Sequence, residues 1–265
     1  MYIKSPLTFG DSILGKSFLL NQKEDFDVYF AHEHEVNLRP LGFSDVVIKF
    51  NKLLYSDMSN AKIHEERTNL SEKWWSDIQK EGFNPQYLDL SNVFCDKYYI
   101  PDPSDYVCIY TKMRGMRTDR FNNIKGYILH LINKISKKYK IYIIGERKNT
   151  WKEYTISGNQ NFVYNLYNDY KQIQNENYVD KSYTDDSFYN ESEFKNSCNI
   201  LKHAKLILVM GNGGNYWISA CLNNTAAIMD HAITSGLSKT ICPDKSFITG
   251  NIDEYVNYID NKLML

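Results

Sequence analysis

From Tyr106 onward two kinds of apolar pattern alternate along the chain, and this alternation limits the fold more than any other feature. The run Tyr106-Val107-Cys108-Ile109-Tyr110 is followed by Phe121, Ile124, Ile128, Leu131, Ile132 and Ile135 at helical spacing, and then by Ile141-Tyr142-Ile143-Ile144-Gly145. Phe194, Cys198 and Leu201 mark another helix face. Leu206-Ile207-Leu208-Val209-Met210 follows, leading into the turn Gly211-Asn212-Gly213-Gly214-Asn215 and a helix-like stretch from Tyr216 to Leu222. Strands that are apolar on both faces and separated by amphipathic helices form a parallel sheet covered on both sides. The second part of the chain therefore reads as a Rossmann-like domain, whose ligands sit beyond the C-terminal ends of the strands.

Two prolines in three residues, in Ile100-Pro101-Asp102-Pro103-Ser104, exclude a helix or central strand and predict a domain boundary near Asp102. This divides the chain into 1–102 and 103–265. In the first part the pattern predicts a strand over Met1–Ser5, a loop over Leu7–Asp11 and a helix over Ser12–Leu20. Strands are expected at Asp27–Phe30 and Val46–Ile48, and a helix at Ser71–Glu81 ended by Gly82. The second part adds a Tyr-rich helix over Phe162–Ile173, a short strand at Tyr178-Val179, and a C-terminal helix face of Ile252, Val256, Ile259 and Leu263.

With 31 Lys and Arg against 32 Asp and Glu, the formal net charge is −1, so the chain lacks the broad basic footprint of a nucleic-acid binder. Five cysteines with no CxxC pair fit a reducing compartment. No apolar run approaches the ~18–20 residues that span a bilayer, and the opening residues do not form a signal peptide. The expectation is a cytoplasmic protein with at most peripheral membrane contact. The 21 tyrosines accompany abundant Asn, Lys and Ile, a bias typical of AT-rich coding sequence. The oligomeric state is not legible.

A strand ending in a glycine-rich turn that opens a helix presents backbone N–H groups suited to phosphate or carboxylate. Asn212, Gly213, Gly214 and Asn215 are therefore candidate anion-binding residues, although a ligand-free turn would have the same sequence. Lys112, Arg114, Arg117 and Arg120 follow the first strand of this domain; Lys112 and Arg114 are the preferred phosphate contacts, against the alternative of a solvated basic loop. Glu146 and Arg147 lie beyond the next strand, either at the ligand or as a surface pair. His32-Glu33-His34-Glu35 lacks a third ligand at matching spacing, so no metal is expected there. His34 is instead a candidate acceptor contact. Trp74-Trp75 suits packing better than sugar stacking, and Asp57, Asp185 and Asp186 show no usable pattern.

Two segments together resemble the ADP-heptose:lipopolysaccharide heptosyltransferase-like branch of the GT-B glycosyltransferases. The first is Ile3-Lys4-Ser5-Pro6-Leu7-Thr8-Phe9-Gly10-Asp11, where the family's opening strand runs into a Gly-Asp loop. The second runs from His203-Ala204-Lys205 through the strand to Gly214 and on to Ala220-Cys221-Leu222. Asn212 stands where the family usually has aspartate, and Trp217 where it usually has histidine. The resemblance implies an α/β, GT-B-like fold of two Rossmann-like lobes with a central cleft, the N-terminal lobe being reduced. It implies a metal-independent, inverting glycosyltransferase of polysaccharide biosynthesis, needing no cofactor, that uses a nucleotide-sugar and a glycan, glycolipid or glycoprotein acceptor. Asp11 would be the general base beside Gly10 on the acceptor side, where helix capping is the competing role. Thr111 and Lys112 would touch donor phosphates and Glu146 the ribose. The alternatives are a nucleotide-sugar hydrolase or epimerase on the same fold, or a non-catalytic nucleotide- or glycan-binding descendant.

Overall fold

The computed structural model describes residues 2–5, 9–31, 43–68, 79–80, 82–116, 118–147, 154–156, 159–173, 175–182, 191–211, 213–229 and 232–265. The chain opens with β1 (Tyr2–Ser5), α1 (Phe9–Leu19), β2 (Phe26–Ala31), α2 (Phe43–Leu54) and β3 (Ala61–Thr68). The three strands form a parallel sheet in the order β1-β2-β3. Helix α1 starts at Phe9, so Gly10 and Asp11 belong to its first turn rather than to a loop. Val46-Val47-Ile48, expected as a strand, lies inside α2. Buried Val47, Phe50 and Leu54 recur at helical spacing, and this longer period overrides the local β-branched run. Strand β3 was not anticipated, because it is polar: Lys62 and Glu65 are exposed, while Ala61 and Ile63 pack against the core. The expected helix at Ser71–Glu81 falls almost wholly outside the described residues.

The second sheet is built from β4 (Tyr106–Met116), β5 (Lys140–Ile144), β6 (Tyr154–Ile156), β7 (Asn159–Asn165), β8 (Tyr178–Asp180), β9 (Leu206–Gly211), β10 (Thr225–Ile228) and β11 (Ser246–Thr249). Six strands run parallel in the order β11-β10-β9-β4-β5-β8. From β4 the chain proceeds to one edge through β5 and β8, then restarts on the other side of β4 with β9, β10 and β11. This is the doubly wound order, and its reversal leaves a crevice between the C-terminal ends of β4 and β9. Alternate residues of each strand face opposite cores: Val107, Ile109, Leu206 and Leu208 on one side, Cys108, Tyr110, Ile207 and Val209 on the other.

Among the described residues six helices accompany this sheet: α4 (Thr118–Ile135), α5 (Tyr167–Gln172), α6 (Glu191–His203), α7 (Gly214–Leu222), α8 (Ala232–Ile241) and α9 (Ile252–Leu263). A shorter one, α3 (Ser91–Phe94), lies on the segment between the two sheets. Two expectations are corrected. Strand β4 does not stop at Thr111 but runs on to Met116, leaving β5 after Tyr110 and pairing antiparallel with β7 from Lys112. The stretch Phe162–Ile173, read as one helix, is the end of β7 followed by the six-residue α5. Aromatic and β-branched residues there pair with β4, a partner that local periodicity does not reveal.

The segment between the sheets is tied to both. Gln86 N donates to Ser17 O, Leu88 N to Ile241 O and Leu90 N to Cys221 O. The core on that side runs continuously from Phe26, Val28 and Leu54 of the first sheet layer to Cys221, Ala227 and Met229 of the second. Inside the first layer Lys16 is fully buried. Its Nζ donates to Leu54 O at the C-terminus of α2 and to Asp57 Oδ1 at 2.6 Å, placing a cation at the negative end of a helix. Burial pushes its pKa below the ordinary lysine value, and the Asp57 carboxylate opposes that shift. All five cysteines are free, and Cys108, Cys198, Cys221 and Cys242 are buried. Among the described residues no helix is long and apolar enough to cross a membrane.

Asp102 fastens the Pro-rich stretch to β5. Its carboxylate accepts from the Ser104 hydroxyl, from Tyr142 Oη at 2.5 Å and from Lys140 Nζ at 3.2 Å. These bonds, that of Ser104 foremost, hold its pKa well below the ordinary value of 3.8. A carboxylate depressed in this way stabilises the fold above its unfolded-state pKa, and that stabilisation is lost as pH falls toward the folded-state value. Asp102→Asn should therefore flatten the fall in stability below about pH 4, measured by urea melts across an acid series.

Candidate functional site

The first turns of α1 and α7 meet at backbone contact. A Cβ placed on Gly10 would lie 3.2 Å from Gly213 C and from Trp217 Cδ1, and 3.3 Å from Gly214 N. One placed on Gly214 would lie 2.8 Å from Phe9 Cβ. Gly211 and Gly213 have φ of 107° and 122°, a region in which side chains are strained, so the turn after β9 is built for glycine. Tyr216 N and Trp217 N both donate to Gly213 O, which closes the first turn of α7. Helices from the two sheets thus bring their positive ends to one place, at the C-terminal ends of β1 and β9. Asp11, next to Gly10 in the first turn of α1, is half-buried.

Trp217 lies at this contact. It is 3 % exposed, packs edge-on to Tyr216 at 5.1 Å, and fills the space beneath Gly10. Gly10 is thus a packing residue, set against α7. Gly214→Ala would force Phe9 away from α7, and overpacking of this kind costs about 1–3 kcal/mol. Chemical denaturation should show that loss as a lower midpoint.

A second group stands where β4 parts from β5. Thr111 is fully buried and its Oγ1 donates to Glu146 O at 2.8 Å; Asn165 Nδ2 donates to the same oxygen at 2.7 Å. Lys112 Nζ lies 3.4 and 3.3 Å from the two carboxylate oxygens of Glu146. Lys112 and Arg114 are residues of β4, not of a loop after it. Arg147 points the other way. Its Nη2 is 3.0 Å from Asp180 Oδ2, its Nε donates to Ser182 Oγ at 3.0 Å, and Tyr167 lies under the guanidinium. These partners lie on the β8 side of β5, away from β9, so Arg147 is not brought to the glycine turn. Asn165 was missed in the sequence, where nothing distinguishes it within an Asn-rich stretch.

Beside Phe9 an apolar pocket of about 50 Å³ is lined by Phe9, Val46, Phe50, Leu53 and Phe194, with Lys49 and Glu191 at its edge. Phe50 stacks on Phe9 at 4.2 Å and meets Phe94 at 5.3 Å and Phe194 at 5.5 Å, joining α1, α2, α3 and α6 in one aromatic cluster. Phe9 thus belongs both to this pocket and to the helix junction.

Asn212, Arg117, His34 with the rest of His32–Glu35, Trp74-Trp75, Asp185 and Asp186 lie outside the described residues, as do the side chains of Arg114 and Arg120. Among the described residues no group of three or more His, Cys, Asp or Glu could hold a metal ion.

No family model matches the chain, and no curated protein matches it. Solved structures align over most of its length at low identity. The dodecameric iron-containing heptosyltransferase TibC, in complex with ADP-D-beta-D-heptose, aligns at 13 % identity and a TM-score of 0.44 over 93 % of this chain; the chain spans 62 % of that protein's length. A family 9 glycosyl transferase from Veillonella parvula aligns at 6 % identity and a TM-score of 0.49, covering 99 % of this chain and 96 % of the other. The E. coli ADP-heptose lps heptosyltransferase II aligns at 9 % identity and a TM-score of 0.46, covering 99 % and 98 %.

Proposed function

We propose that this chain is a glycosyltransferase that moves a sugar from a nucleoside-diphosphate donor to a hydroxyl acceptor, with Asp11 as general base. The observation that carries this reading is the convergence of the α1 and α7 N-termini at the mouth of the sheet reversal, with Asp11 next to Gly10 in the first turn of α1. Two positive helix ends suit the diphosphate that departs, and the acid beside them suits the proton that must be taken.

In the proposed step the acceptor oxygen bonds to the anomeric carbon while the bond from that carbon to the diphosphate oxygen breaks. The bonding pair leaves on the diphosphate, and the acceptor proton passes to Asp11. Attack opposite the leaving group inverts the anomeric centre. The N–H groups at the start of α7 and the ammonium of Lys112 would face the charge that develops on the diphosphate. No metal or cofactor enters the scheme. The donor would be a nucleotide-sugar of polysaccharide biosynthesis, the acceptor a glycan or glycolipid, and the setting cytoplasmic, with any membrane contact peripheral.

A thermal-shift screen of nucleoside diphosphates and nucleotide-sugars tests the donor half. A true ligand at 100 times its dissociation constant adds about 2.7 kcal/mol and raises the melting temperature visibly. If no nucleotide raises it, the reading fails.

A further inference from the structure

We infer that Glu146 is a resident counter-ion for Lys112, a positioning residue that lowers the affinity of the site for bare phosphate anions. The inference rests on the diphosphate reading above and deepens it. Lys112 is only 12 % exposed and Glu146 28 %, so the ammonium is largely withdrawn from water and needs an anionic neighbour when no ligand is bound. Glu146 supplies it from a fixed base. Its carbonyl oxygen is gripped by both Thr111 Oγ1 and Asn165 Nδ2, while the preceding Gly145 turns at φ 110°, where a Cβ would come within 2.8 Å of Thr111 Oγ1.

The contact between the two charged groups is long. Both oxygens stand at 3.3–3.4 Å from Nζ, longer than the ~2.7–2.9 Å of a well-formed charge-assisted bond. A cation held by attraction at this range can exchange partners. An arriving phosphate has to displace the carboxylate or share the ammonium with it, and either way the like charge of Glu146 opposes the anion.

The test is calorimetric titration with inorganic pyrophosphate at fixed ionic strength. Glu146→Gln keeps the carbonyl that Thr111 and Asn165 hold, so the turn stays in place. It should bind pyrophosphate about fivefold more tightly than the native protein, the gain expected from removing one half-buried opposing charge. Lys112→Met should weaken pyrophosphate binding with or without Glu146→Gln, and Glu146→Asp should bind nearly as the native protein does. Native binding with no gain in Glu146→Gln would overturn the counter-ion role while leaving the diphosphate reading intact. Pyrophosphate binding undiminished by Lys112→Met would also overturn it. Failure of every form to bind pyrophosphate would overturn both.

Discussion

Asp11→Asn is expected to slow sugar transfer by about 10²–10⁴-fold, the usual contribution of a general base, with donor affinity nearly unchanged. Steady-state turnover together with titration of the nucleoside diphosphate checks this, because a group acting only on the acceptor proton leaves donor binding alone. The competing role is electrostatic. A carboxylate in the first turn of α1 complements the helix dipole, and its loss then costs about 0.3–1 kcal/mol of stability without touching the rate. Turnover at the native rate in a slightly less stable variant would assign Asp11 to the helix and remove it from the chemistry.

The largest loss of stability is expected at Phe50. It is 5 % exposed and meets three other phenylalanine rings, so Phe50→Ala removes a buried ring and leaves a cavity that neighbours on three other helices cannot readily close. Such substitutions cost about 3–5 kcal/mol. In urea the midpoint should fall steeply with an unchanged slope, the mark of lost packing rather than an altered unfolded state. Phe50→Leu should recover part of the difference. Because Phe50 stacks on Phe9, one residue from Gly10, the alanine variant should also lose activity below its own melting temperature. Full activity there would show that the junction does not depend on the cluster.

What the sequence made legible follows from where each element's partners lie. The strand at Leu206, its glycine turn and the helix after it are local. Buried on both faces, β9 is apolar throughout, and the positive φ of Gly211 and Gly213 demands the residue type that drew attention. The doubly wound part was readable for the same reason, as both faces of its strands are covered. Elements whose character depends on distant partners were not. Strand β3 is polar along an edge, β7 exists because the distal half of β4 pairs with it, and Val46-Val47-Ile48 joins a helix whose apolar stripe faces α1 and α3. At the site the same division holds. Lys112 and Glu146 were both singled out, but their pairing requires two strand ends and the side chain of Asn165, which sequence spacing does not bring together. The burial of Trp217 against Gly10 joins opposite ends of the chain, which local pattern does not show.

The apolar core shared by the two sheet layers bears on how this molecule can move. In many two-lobed proteins a ligand is enclosed when one half swings as a rigid body about a hinge. Here such a swing would part Phe50 from Phe194, pull Gly10 away from Gly213 and Trp217, and break the bonds from Gln86, Leu88 and Leu90 that lace the halves together. Access to the helix junction is therefore governed by small local rearrangements at its rim, and the two halves should melt together as one cooperative unit.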